Sequence, residues 1–505
     1  MIALGNRREV FFDSFLVNEE ASTAKAVLQK PVRKNVALAL NMPWEGGLCG
    51  YPNVFYAEGK WLLYYRSSPG FGGPWGVGRA ESVDGITWTR PSLGAIEFNG
   101  SRDNNLVANM DLVRSFGSKH LNDFYVFYDE NPNCPKEQRY KAVFSTGGAD
   151  KLVSLVSPDG IHFSYFGVIT DYGSFDSQNL AFYSKEHGKY FCYFRHEHHP
   201  DDTTTFEEYS FKQATADKLW DWDTMSTRQP GPEDDAAKMM RDVCVVESED
   251  FIHWTKNTLL RYKDDRVQLY TNAITPYPRA PHVFVGFPVR YYERKAWTPT
   301  YDELCGREAR LERIYKGYAR VGLVITDGLF MCSRNGYDFT RYDEAFVRPP
   351  AENPHSWMYG DCYTAAGLVR TPSDIPGADD EYSIYVMENY RASTGYALIT
   401  RYSIRLDGFV SRHAGEEEAL LVTKPFTYEG DTLYVNIDTA ARGHAYFTLK
   451  CEGEEYHSYE TFGNSADKRV HFLDPEAVAR LAGKEVTLEV RLLDADLYAI
   501  RFGEK

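Results

Sequence analysis

No stretch of the 505 residues approaches the roughly 20 consecutive apolar residues that a membrane-spanning helix needs. The opening MIALGNRREVFFDSFLVNEE also lacks the apolar core of a secretory leader. The expectation is a cytoplasmic protein with no membrane partner. Positive charge is scarce, 56 Lys and Arg against 72 Asp and Glu, for a formal net charge of −16. No basic field exists to attract phosphate backbones, which excludes nucleic acid as a partner. The eight cysteines (Cys49, Cys134, Cys192, Cys244, Cys305, Cys332, Cys362, Cys451) form no C-x-x-C pair, which argues against a zinc site and against a disulfide framework. No metal and no cofactor is expected. Helix-favouring runs of Ala, Leu, Glu and Lys are few.

Aromatic residues are abundant: 36 Tyr, 30 Phe and 9 Trp make up 15% of the chain, a composition that leans towards strands. The length exceeds the roughly 250–300 residues at which one core stops growing, so a repeat fold or a second domain is required. A repeat is present: SVDGITW (82–88), SPDGIHF (157–163), SEDFIHW (248–254) and SRNGYDF (333–339), with a degenerate fifth copy, SIRLDGFVS (403–411). In the best copies Asp-Gly or Asn-Gly supplies a turn and an aromatic opens the next strand, the pattern of an outer hairpin. Upstream of each lies a pair of strand-like runs, such as YPNVFYAEGKWLLYYR and NLAFYSKEHGKYFCYFR.

Five inner and five outer hairpins make five four-stranded blades. The fold class is therefore all-β, a five-bladed β-propeller over residues 1–412 followed by an antiparallel β-sandwich over 413–505. EVFFDSFLV near the N-terminus is the candidate for closing the ring onto the last blade. The sandwich is read as an accessory domain, with carbohydrate binding as its sharper alternative. Two segments break the rhythm, residues 196–240 and 291–321, the second containing the helical-looking YDELCGREARLERIYKGYARV. Such insertions line or cover sites, or decorate the surface.

In an antiparallel blade the start of the first strand, the end of the second and the start of the third share one rim. Those positions carry Arg66, Arg195, Arg290 and Glu388 at second-strand ends, Arg241-Asp242 and Asp327 at third-strand starts, and Glu45, Asp176, Tyr270 and Asn272 before first strands. Buried charges are costly unless paired or bound to a ligand, so this ring is either a set of salt-bridged plugs or a pocket. Glycoside cleavage needs one carboxylic acid and one carboxylate across an oxocarbenium-like transition state. The catalytic candidates are Asp176, Asp327, Glu388, Asp242 and Glu45. Asp176 leads because it opens an innermost strand and precedes Gln178 and Asn179, amides suited to sugar hydroxyls. Glu388 is the candidate acid. Substrate-binding candidates are Arg66, Gln178, Asn179, Arg195, Arg241, Tyr270, Asn272 and Arg290. His196, Glu197, His198 and His199 are metal-coloured but consecutive, and read as an exposed loop. DENPNCP (129–135) reads as a structural far turn.

FFDSFLVN, PWEGGLCGY, FDSQNLAFY, LYTNAI, ITDGLFMCSRNG and RLDGFVS, with the ending LLDADLYAIRF, together resemble a group of bacterial glycosyl-hydrolase-like propeller proteins. That group is distantly similar to the superfamily of invertases, levansucrases and arabinanases. The resemblance implies three axial acids, of which Asp176 matches one. N-D-P-N-G is absent from the first blade and E-C or E-G-P from the fourth, so Asp327 or Glu388 would take over the missing acid. The rim arginines exceed what a neutral furanoside requires and point to an anionic substrate or a phosphate co-substrate.

Three functions compete. The leading one is an exo-acting glycoside hydrolase on oligosaccharides. A glycoside phosphorylase of similar fold is the second and a non-catalytic carbohydrate-binding propeller the third. Self-association into a homo-oligomer is left open.

Overall fold

The repeated Ser-x-Asp-Gly phrase forms a turn that satisfies its own backbone. Ser82, Ser157, Ser248 and Ser333 each accept, through Oγ, the N–H three residues on, at 2.8–3.0 Å. The Asp or Asn two residues after the serine accepts the N–H groups two and three residues beyond itself, as Asp84 does from Ile86 and Thr87, both at 2.8 Å. A turn so capped stops the third strand of a blade and starts the return. Gly160 sits there at φ 70°, and the Tyr64 hydroxyl of the preceding blade donates to its carbonyl at 2.9 Å. Tyr193 does the same to Gly336, and Tyr385 to Gly85.

In this computed structural model, residues 2–70, 73–147, 150–198, 220–221, 223–227, 240–262, 267–316, 319–391 and 395–504 are described. They form five blades. The first is Gly50–Ala57, Lys60–Ser67, Gly76–Ser82 and Leu106–Asn109; the second Phe124–Tyr128, Tyr140–Ser145, Leu152–Ser157 and Ser164–Thr170. The third is Leu180–Ser184, Lys189–His198, Met240–Ser248 and Thr258–Leu259. In the fourth, Thr275–Tyr277 is followed by a second strand split into Ala280–Gly286 and Val289–Glu293, then Val324–Ser333 and Asp338–Val347. The protein is an all-β five-bladed propeller with a C-terminal antiparallel β-domain.

The fifth blade departs from the hairpin expectation. Its inner strands are Tyr363–Thr364 with Val369–Thr371, then Glu381–Glu388 and Ala397–Arg405, but its outer strand is Val32–Leu40 from the N-terminal region. The degenerate repeat SIRLDGFVS therefore makes no fifth outer hairpin; it leads out of the ring into strand Val410–Ala414. EVFFDSFLV does not close the ring either. Strand Arg8–Val10 pairs with Thr487–Gly503 of the C-terminal sheet, and Lys25–Leu28 pairs with Val410–Ala414. The physical reason lies in Phe12 and Glu9: Phe12, fully buried, meets Tyr277, Phe330 and Phe409 edge-on at 5.2–5.6 Å, and Glu9 is buried against His282 and Arg334 of blade four.

The C-terminal domain is dominated by two long strands, Thr432–Cys451 and Thr487–Gly503, paired over most of their length around Leu433, Ile437, Phe447, Leu488 and Val490. The second insertion folds as helices Pro299–Glu303, Arg307–Tyr315 and Ala319–Leu323, as its pattern indicates. Much of the first, residues 199–219, 222 and 228–239, lies outside the described residues. Among the described residues no helix is long and apolar enough to cross a membrane.

Candidate functional site

Five non-glycine residues with left-handed backbone gather at one rim of the propeller: Tyr51 (φ 50°), Ala273 (43°), Cys362 (63°), Asn389 (59°) and Arg391 (63°). Each costs on the order of 1–3 kcal/mol, and such strain clusters where geometry serves function. What it positions is a floor of tyrosines. Tyr270 lies 5.8 Å from Tyr291, 5.6 Å from Tyr363 and 5.5 Å from Tyr359; Tyr363 in turn packs on Tyr51 and Tyr390. Gly360 is obligatory here, since a Cβ would fall 1.9 Å from the Tyr390 ring.

Four guanidiniums lie on this floor. Arg66 is 4.8 Å from the Tyr51 ring centre, Arg195 5.2 Å from Tyr270, Arg241 4.2 Å from Tyr291 and Arg391 4.1 Å from Tyr359. Arg66 is further tied to the Leu48 carbonyl, Asn122 and the Tyr390 hydroxyl, the last at 2.7 Å. Burial alone would raise the Tyr390 phenol, yet Arg391 and Arg66 hold it below its ordinary value. Among the described residues no carboxylate pairs with Arg66 or Arg391, and Nε and Nη1 of Arg391 are buried without a hydrogen-bond partner.

Two carboxylates face the array. Asp176 Oδ1 contacts Arg195 Nη2, and Glu197 Oε1 stands 3.8 Å from that same nitrogen and 3.8 Å from Arg241 Nε. Asp176 and Glu197 therefore converge on one guanidinium nitrogen, that of Arg195. Asp176 is the open one, its side chain 46% exposed against 16% for Glu197. Close by, Asp123 is fully buried, and burial pushes its carboxyl up to about 8 against the hydrogen bonds from Asn179. Asn122 joins the parts, accepting from Arg66 and donating to the Asp176 carbonyl.

The remaining candidates lie elsewhere. Glu45 is buried and meets Arg90 twice, at 2.8 and 2.9 Å, with the Tyr65 hydroxyl and the Met42 N–H beside it. Glu388 accepts from Arg33 at 2.9 Å through both oxygens, and from Asn353 and Tyr402, which anchors the strand that closes the ring. Asp242 meets His198 at 3.1 Å inside blade three. Asp327 and Arg290 pair with each other on the flank of blade four. Gln178 Oε1 accepts the Ala273 N–H at 2.9 Å, Asn272 donates to the Gln178 carbonyl, and Asn179 serves Asp123, so these amides stitch neighbouring blades together.

The HEHH tetrapeptide is not an exposed loop over its described part. Lys189–His198 is one strand, with His196 and His198 2% and 1% exposed on one face and Glu197 turned with Arg195 to the other. Strand alternation carried that signal. Asp129 of DENPNCP is a structural anion, buried against Lys141 at 2.6 Å. Arg391 left no periodic trace, since it follows the strand end on left-handed backbone. Among the described residues no group of three or more His, Cys, Asp or Glu could hold a metal ion.

No family model matches the chain, and no curated protein matches it. Solved structures similar to it include a glycosyl hydrolase from Bacteroides ovatus, 14% identical, covering 76% of this chain and 97% of that one at a TM-score of 0.40. A family 43 arabinoxylan arabinofuranohydrolase from Bacillus subtilis is 9% identical and covers 94% of this chain and 99% of that one at 0.38. An N-acetylgalactosamine deacetylase from F. plautii is 10% identical and covers 74% and 95% at 0.43. At these scores the fold assignment rests on the five sheets themselves.

Proposed function

We propose that the chain is an exo-acting glycoside hydrolase working at the rim pocket, on an oligosaccharide whose terminal sugar carries an anionic group. The carrying observation is the pair Asp176 and Glu197 meeting on one guanidinium nitrogen over a floor of tyrosines. Glu197, between Arg195 and Arg241, attacks the anomeric carbon and forms a glycosyl ester. Asp176, at the open side where it can exchange protons with water, protonates the leaving oxygen and then takes a proton from the water that hydrolyses the ester. Arg391, without a carboxylate partner among the described residues, receives the sugar's anionic group through its unpartnered Nε and Nη1 by charge-assisted hydrogen bonds, while Arg66, its donors held by Leu48, Asn122 and Tyr390, adds positive charge beside it. The helical insertion Pro299–Glu303, Arg307–Tyr315 and Ala319–Leu323, which follows the second strand of blade four, supports end-on attack.

The same surplus of guanidiniums favours one second reading, phosphorolysis, in which inorganic phosphate is the anion and the attacking group. The test is a turnover screen of wild type, Asp176→Asn and Glu197→Gln on aryl glycosides of neutral sugars, uronic acids and ulosonic acids, with and without phosphate. Wild type is expected to release anionic sugars with retained configuration, independent of phosphate, with at least 10³-fold loss in either variant. Strict phosphate dependence would convert the reading to phosphorolysis. Equal turnover by wild type and both variants would remove the site.

A further inference from the structure

Beside the pocket, on the flank of blade four, three adjoining hollows of 570, 320 and 300 Å³ share Arg294. The two larger also share Ile325 and Trp357. Two aromatic faces are open to solvent there, Trp357 at 41% and Tyr292 at 54% exposed, with Arg294 lying 5.4 Å from the Tyr292 ring. Acceptors stand next to them: Asp327, bound by Arg290, and Asp343. Among the described residues Arg294 has no carboxylate within ion-pairing distance.

The indole is held out at a cost. Trp357 is left-handed at φ 69°, a conformation worth on the order of 1–3 kcal/mol of strain for a bulky residue. Its carbonyl is gripped by the guanidinium of Arg310, a side chain only 1% exposed that also donates to the Gly322 carbonyl at 3.3 Å and the Cys305 carbonyl at 3.4 Å. The Cys305 thiol donates to the neighbouring Ser356 carbonyl at 3.1 Å. An exposed indole held on strained backbone by a buried, hydrogen-bonded cation marks a surface set for contact. Two residues further on, Tyr359 belongs to the pocket floor, so the trough borders the site already described.

We propose that this trough is a saccharide-binding subsite that holds the distal units of an oligosaccharide, with sugar faces stacked on Trp357 and Tyr292 and hydroxyls shared among Arg294, Asp327 and Asp343. Flat apolar faces beside charged donors and acceptors suit a pyranose chain, which has apolar C–H faces and a hydroxyl equator. An apolar peptide would leave those charges desolvated. The inference deepens the glycoside reading, extending it to sugars beyond the cleaved bond.

Calorimetry on Asp176→Asn protein, which holds ligands without turning them over, tests it with hexasaccharides of glucose, mannose, xylose and galacturonic acid. At least one is expected to bind, and adding Trp357→Ala or Tyr292→Ala is expected to weaken it tenfold or more with melting temperature unchanged. Using both substitutions covers the case in which one disturbs the fold. Binding equal with and without the two aromatics, or no binding by any of the four, overturns the trough. Trp357-dependent binding without turnover of any glycoside by wild type would leave the trough standing and remove the cleavage reading. Turnover of short aryl glycosides with no hexasaccharide bound would do the reverse.

Discussion

Asp123 shows how burial rather than residue type sets chemistry at the level of one side chain. Its carboxyl is held up to about 8, while in an unfolded chain it would titrate near 4. Between those values the folded protein keeps a proton that the unfolded chain releases, so this residue's contribution to stability falls as pH rises through that window. Asp123→Asn should flatten the fall: melting temperatures at pH 5 and pH 8.5 should differ less in the variant than in wild type, and equal differences would contradict the raised value. The residue was invisible as a candidate because DFYVFYDEN reads as an ordinary strand opening. Asp176 was legible because it precedes an innermost strand. Glu197 was not legible: its tetrapeptide reads as an exposed loop, and only the fold extends the strand through it and sets it beside Arg195. Arg391 was not, because nothing local marks a residue whose partners come from strands remote in sequence.

At the scale of the element, the Ser-x-Asp-Gly turn is the unit on which the blades are built, and its glycine serves the neighbouring blade. At Gly160 an added Cβ would meet the Tyr64 hydroxyl at 2.5 Å on backbone at φ 70°, so space and conformation both forbid it. Gly160→Ala should destabilise the protein by about 1–3 kcal/mol in denaturant unfolding, and Tyr64→Phe by about 1 kcal/mol. An unchanged midpoint in Gly160→Ala would show that the blades do not interlock through this turn. The third blade solves the problem differently: Phe251 takes the left-handed position at φ 66° and packs on Phe127 of blade two at 5.8 Å. Four hairpins could be read directly from the repeat. The fifth could not, because SIRLDGFVS keeps the letters of the turn while Asp407 is spent on Arg8, Arg279 and the Tyr277 hydroxyl at the domain junction.

Across the whole molecule the N-terminal region acts as a double clasp. Val32–Leu40 closes the ring on blade five, and the residues before it are woven into the C-terminal sheet. Phe12 sits where the two domains meet, so Phe12→Ala should cost about 3–5 kcal/mol and loosen both together. One cooperative thermal transition at lower temperature is expected, and a change confined to one of two separate transitions would refute the coupling. The sequence alone determined the all-β class, the five-blade count and the helical insertion, because periodicity, turn chemistry and composition are local. Tertiary structure alone decided which strand closes the ring, and which carboxylates neutralise structural arginines while Asp176 and Glu197 share one. It also decided that Arg66 and Arg391 lie over tyrosines without a carboxylate among the described residues. Each of these depends on groups brought together from distant parts of the chain, and a charge's meaning is set by its neighbours in space.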